Sequence, residues 1–182
     1  MNEELINKTK EKYNNFFGIE INEINLTVVN SREEIDKLKG FETKSRLVGW
    51  IGKHDNLFVL SEDKLESESN HKKEEYEKIL KHEIAHLYIH KLTKCRVPVW
   101  LHEGLAMYLA GQVNPNITKE ESMKALEFFN DNSKEVYLYA GAYVYFLIKE
   151  HGKDKIIDLL KKIPSEISKE DFQDIYSDAY NS

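Results

Sequence analysis

The stretch KHEIAHLYIH, residues 81 to 90, constrains the fold more than any other. Ile84, Ala85, Leu87, Tyr88 and Ile89 leave almost no polar side on a helix of this sequence, and a helix apolar all round is buried. Yet the same stretch carries two imidazoles and a carboxylate. His82 and His86 are four residues apart, so on a helix they differ by about 40° around the axis and about 6 Å along it and can address one point. Glu83 falls about 100° from the first and about 60° from the second, placed to border that point rather than to join it. Burying three such groups costs several kcal/mol unless something pairs with them, and a divalent cation is the most effective single partner.

A cation needs a third ligand, and VPVWLHEGLAMYLAG (97 to 111) offers Glu103. On a helix it shares a face with Val99, Ala106 and Ala110, an apolar face carrying one carboxylate. Gly104 and the alanines are expected to let this helix approach the first one closely. Two His and one Glu leave a fourth position open for water, the pattern of a catalytic rather than a structural zinc site, with one Zn2+ per chain. Cobalt or manganese suits the same ligand types. The general base is then Glu83, within reach of the attacking water.

The rest of the chain is read around these two helices. Residues 3 to 17 form an amphipathic helix ended by Gly18. The β-branched run 21 to 30 reads as a strand, and SREEIDKL (31 to 38) as a short helix with a serine cap. SRLVGWIGK (45 to 53) and NLFVLSED (56 to 63) read as two strands of a hairpin turned by KHDN. Helices follow at about 71–93, 98–111, 118–130, 134–151, 153–162 and 168–179, with Pro98 opening the second and Gly111 closing it. The expected fold class is α+β, a small and mainly antiparallel N-terminal sheet followed by a helical subdomain. Residues 1 to 182 are expected to form a single domain, its helix and sheet part at about 1 to 65 and its helical part at about 70 to 182.

Charge and cysteine usage narrow the partners. A formal net charge of -6, with lysines scattered among acids, argues against nucleic acid. The single cysteine, Cys95, cannot form an internal bridge and reads as an inert thiol between two helices in a reducing compartment. The first residues lack an apolar signal core, and no stretch has the length of a membrane span, so a cytoplasmic protein with no membrane partner is expected.

The pattern H-E-x-x-H, followed after sixteen residues by the glutamate of WLHEGLA, resembles the gluzincin metallopeptidases. The likeness is nearest to the peptidase MA-like and aminopeptidase N-type catalytic domains, whose third-ligand helix reads W-L-x-E-G-x-A, and it covers about residues 45 to 152. The resemblance implies a thermolysin-like zincin core that hydrolyses peptide bonds through a zinc-bound water, with His82, His86 and Glu103 as metal ligands and Glu83 as general base. It also implies a tyrosine on a later helix as oxyanion donor, which the stretch YLYAGAYVYFLIKEHG (137 to 152) assigns to Tyr137, with Tyr139 as competitor. NLFVL (56 to 60) would be the rim strand that pairs with an extended peptide. The G-x-M-E-N motif that holds a free N-terminus in aminopeptidase N-type enzymes is absent, which favours an endopeptidase.

Two other functions fit parts of the pattern. One is a regulatory metalloprotease acting on one specific protein; the other is a non-catalytic scaffold that binds a peptide or partner. Retention of both Glu83 and Glu103 weighs against the scaffold. His102 is expected beside the metal ligands, His90 at the surface or behind them, and His54, His71 and His151 exposed. The terminal QDIYSDAYNS (173 to 182) is a candidate for autoinhibition by folding into the cleft.

Overall fold

The computed structural model describes residues 2–93, 97–131, 133–164 and 166–180, so Cys95 lies outside the described residues. The chain opens with α1 (Asn2–Phe17), then β1 (Leu26–Val29), α2 (Arg32–Lys39), β2 (Gly49–Ile51), β3 (Leu57–Leu60) and α3 (Leu65–Glu68). The helical part comprises α4 (Tyr76–Thr93), α5 (Val99–Ala110), α6 (Lys119–Ser122), α7 (Val136–His151), α8 (Lys153–Lys162) and α9 (Lys169–Tyr180). The class is α+β, as the order of strand and helix signals indicates. Among the described residues, no helix is long and apolar enough to cross a membrane.

The sheet departs from expectation in two ways. Its order is β1-β3-β2, with β1 parallel to β3 and β2 antiparallel to it, so it is mixed rather than mainly antiparallel. The reason lies in α2, which with the following loop carries the chain away from β1 so that β3 returns in the same direction. Ser31 accepts from the Glu34 amide at the start of α2, and Gly40, at φ 77°, ends it with its own amide on Asp36 O. β3 is therefore the central strand with both edges taken, and the rim strand is β2.

α4 runs through the middle of the molecule, with Ile79, Leu80, Ile84, Ala85, Leu87, Tyr88 and Ile89 all buried. Its back is covered by α1. Tyr13 and Phe17 pack on Tyr88 with ring centroids 5.7 and 5.3 Å away. Tyr88 donates its hydroxyl to Lys10 O at 3.1 Å, and Tyr13 donates to Lys81 O at 3.2 Å. These contacts bury one side of α4 against α1 and leave the side with His82 and Glu83 for α5 and β2.

α5 starts at an N-terminal turn whose free amides find partners outside the helix. Val99 N donates to Phe129 O at 2.8 Å and Trp100 N to Phe128 O at 3.1 Å. Pro98 stands just before the helix, where its lack of an amide hydrogen costs nothing. Gly111, at φ 72°, closes α5 with its amide on Met107 O and Tyr108 O. The close approach expected of Gly104 is made to α7, not to α4. A Cβ there would lie 2.5 Å from Ala140 O and 2.8 Å from Ala140 C and Val144 Cγ2.

α9 is seated through Phe172 and Tyr176, whose rings stand edge-on to Trp100 at 6.1 and 6.0 Å. Tyr176 and Tyr143 share a hydroxyl hydrogen bond, and Lys155 Nζ donates to Ala179 O at 2.8 Å.

Candidate metal centre

Three elements build the site. α4 supplies His82, Glu83 and His86 on consecutive turns, α5 brings Glu103 across from them, and α7 enters with Tyr137 on its first turn. Glu103 Oε2 lies 3.3 Å from His82 Nε2 and 3.7 Å from His86 Nε2. One ligand atom from each of the three residues lies within 4.8 Å of the others, a group that could hold a metal ion. Ligand atoms bound at about 2.0–2.1 Å around a tetrahedral ion stand about 3.3–3.4 Å apart, so the two separations from Glu103 need only a small contraction to fit.

The electrostatics follow from enclosure. Glu103 and His86 are both only 8% exposed. Burial alone would push the Glu103 carboxyl up, but hydrogen bonds from His102 and His82 and the nearby imidazoles hold it well below the usual carboxylate range. His86 is driven well below its ordinary value by burial and by the neighbouring His102 and His82, so it presents a neutral ring, the form that binds a metal. Burial also works against charging His82, yet the Glu103 hydrogen bond and the Glu83 and Glu103 charges outweigh it and hold its pKa up. Glu83, which lies outside that group of three, is pushed up to about 7 by burial, with Glu103 adding to the shift and His82 and Lys39 opposing it.

The imidazoles are aimed by contacts behind them. His82 Nδ1 is paired with Gln112 Oε1 at 2.8 Å, which fixes the ring with Nε2 as the atom turned toward Glu103. The His86 ring stacks on His102 at 4.0 Å and 13°, and His102 stacks in turn on the exposed His90 at 5.3 Å. His102 Nδ1 lies 3.4 Å from Glu103 Oε1, so His102 stands directly beside the Glu103 carboxylate. His54 and His151 are exposed as expected, while His71 is half-buried beside Glu75.

Tyr137 is packed against this group. Burial and the charge of Glu103, to which the phenol is also hydrogen-bonded, raise its pKa, so it stays protonated and available as a donor. Tyr139, two residues on, points elsewhere, with Lys124 Nζ 5.5 Å above its ring. The two tyrosines are about 200° apart on α7, and only one can face α5.

Two contributors lie outside the residues that the sequence pattern singles out. Gln112 follows the αL turn that closes α5, which throws it back toward α4, thirty residues away in the chain. Gly49, on β2, lies flat against the general-base candidate, and a Cβ there would come 2.6 Å from Glu83 Cγ and 2.9 Å from its Oε1. The only hint of Gly49 is a glycine inside a β-branched run, a sign of close approach.

No curated protein and no solved structure matches the chain. A family model described as "Peptidase of plants and bacteria" matches residues 7–179, nearly the whole chain and all of the residues just described. The chain belongs to this peptidase family of plants and bacteria.

Proposed function

We propose that the protein is a zinc-dependent peptidase of the gluzincin type, with His82, His86 and Glu103 as ligands, Glu83 as general base and Tyr137 as oxyanion donor. The observation that carries this reading is the convergence of His82 Nε2, His86 Nε2 and Glu103 Oε2 beside an uncoordinated Glu83, in a chain of a peptidase family. The donor set of two imidazoles and one carboxylate fits zinc and leaves a position open. Zinc, when bound, would polarise both the scissile carbonyl and the attacking water.

The chain's own groups supply the rest. Glu83, poised near neutral, takes the proton of the attacking water and returns it to the departing amine. Tyr137 donates its phenolic hydrogen to the oxygen on which negative charge grows, a contribution of about 10²–10³ in rate. Gln112 and His102 keep the ligand side chains in register. An extended peptide laid along the free edge of β2 would pass beside Glu83, in keeping with endopeptidase action.

The test is metal content after loading with zinc, by mass spectrometry, for wild type and Glu103→Ala. One zinc per chain is expected for wild type. Loss of an outer partner of a ligand typically costs about 10- to 100-fold in metal affinity, so loss of Glu103 itself should weaken binding by more than about 100-fold. Wild-type protein that takes up no zinc would mean the three groups do not act as ligands, and the peptide-binding scaffold would replace the enzyme.

Gly49→Ala probes the base separately. The added methyl must displace the Glu83 stem, and a misplacement of about 1 Å is enough to cost about 100-fold in turnover. The variant should keep its zinc and lose peptidase rate by roughly 10- to 100-fold; unchanged turnover would show that Glu83 is not held by β2.

A further inference from the structure

The loop from Gly40 to β2 is held by an unusual use of one side chain. Arg32, at the start of α2, donates from Nη1 to Leu47 O at 2.7 Å, to Thr43 Oγ1 at 3.1 Å and to Lys44 O at 3.3 Å. Its Nη2 donates to Ser45 O at 3.1 Å and to Glu68 O at 2.9 Å. Asp36 fixes the near end, accepting from Thr43 N at 2.8 Å and Thr43 Oγ1 at 2.6 Å. Bonds to an ionised donor are about twice as strong as neutral ones, so residues 43 to 47 form a rigid shelf.

That shelf presents Arg46. Three residues further on, Gly49 touches Glu83, so the Arg46 backbone stands within about 10 Å of the strand position that borders the base. Its positive charge also opposes the rise in the pKa of the Tyr137 phenol. Arg46 is half-buried, and among the described residues no hydrogen bond or ion pair holds its guanidinium. Lys39, the cation near Glu83, differs in being engaged, with its Nζ 4.8 Å over the Trp50 ring and in the field of Glu83. A guanidinium that is half-buried, carried on a pinned loop beside the base and lacking an anion among the described residues is suited to an anion that arrives with the ligand.

We infer that Arg46 receives a carboxylate of the peptide substrate, making it a specificity-determining residue for acidic peptides. The planar fork of arginine matches a carboxylate with two parallel hydrogen bonds. The carboxylate is either that of an Asp or Glu side chain or that of the peptide's C-terminus. This inference rests on the peptidase reading, and it specifies the substrate class of the same site.

The experiment uses random octapeptide libraries with acetylated N-termini, prepared with and without Asp and Glu, each as free acids and as C-terminal amides. Retention of library members is first measured by mass spectrometry on the zinc-loaded Glu83→Gln chain, with or without Arg46→Gln. Peptides bearing a carboxylate should be retained about 10- to 100-fold better, and Arg46→Gln should remove that preference. New termini produced by the wild-type chain, by Arg46→Gln and by Arg46→Lys are then counted. Arg46→Gln should lose far more rate on acidic than on neutral peptides, the difference lying in KM, with partial recovery in Arg46→Lys. A preference for side-chain acids over the free C-terminus, or the reverse, identifies the carboxylate. Equal retention of acidic and neutral peptides, or an equal loss of rate on all peptides in Arg46→Gln, would overturn the inference. Absence of any cleavage by wild type alongside intact carboxylate-selective retention would sink the peptidase reading and leave Arg46 in place as a binding residue.

Discussion

Replacing Glu83 by Gln should abolish peptide hydrolysis while the chain still takes up its zinc. The two side chains have nearly the same shape, so the packing against Gly49 survives and only the capacity to accept a proton is lost. General-base groups of this kind contribute about 10²–10⁴ in rate, which sets the expected loss. Peptide-library turnover and metal content, measured on the same preparation, separate this from simple loss of the site. A variant that cleaves as fast as wild type would rule out Glu83 as the base. The same substitution has a second signature in the metal-free protein. Glu83 is raised from its ordinary 4.5 to about 7, so between those values the folded chain keeps a proton that the unfolded chain has released. The folded state then binds more protons, and stability falls as pH rises through that window. Glutamine escapes this penalty. Metal-free Glu83→Gln should therefore match wild type below about pH 4.5 and exceed it above pH 7, by on the order of 1–3 kcal/mol in denaturant unfolding.

The second large effect is structural and concerns the spacing of α5 and α7. Gly104→Val should destabilise the protein by about 3 kcal/mol or more, because the new Cβ would sit 2.5 Å from the carbonyl oxygen of Ala140. That oxygen belongs to helix backbone and cannot rotate away, so the two helices must separate. Valine brings only a small gain in helix propensity over glycine to offset the clash. For a chain of this size the loss corresponds to a fall in Tm of roughly 6–12 °C. Gly141→Ala is the control. It faces Met107 across the same interface, where a Cβ would be 3.1 Å from Met107 Cβ, and the rest of that flexible side chain can yield. Its Tm should fall by much less. Because Tyr137 reaches Glu103 only through the α5–α7 contact, residual folded Gly104→Val protein should also show reduced turnover with zinc retained. Equal Tm for Gly104→Val and wild type would show that the interface tolerates a wider spacing.

Much of this arrangement could be read from residues in order. The apolar girdle of α4 demanded burial, and the four-residue step from His82 to His86 put two imidazoles on one face whatever surrounded them. Pro98 and Gly111 bracket α5 closely, and Gly18 ends α1, because proline and glycine act through their own backbone torsions and need no distant partner. Glu103 stood out for the same kind of reason, as a carboxylate on an otherwise apolar helix face.

The remainder depended on contacts between elements far apart in the chain. A glycine signals that something comes close but not what, and Gly104 met α7 where α4 was expected. Alternating β-branched residues mark a strand without saying which neighbours it takes, so β3 proved central, β2 the rim, and the β1–β3 pairing parallel once α2 had reversed the direction of the chain. Tyr137 and Tyr139 differ only in which side of α7 turns toward α5. Gln112 and Gly49 reach the site from a helix end and a strand edge. The sequence by itself determined the helices, their buried faces and the side-chain types of the candidate metal group, because these follow from local periodicity and local torsions. The tertiary structure alone decided which groups aim, crowd and flank those side chains, because that is set by how closely whole elements can pack.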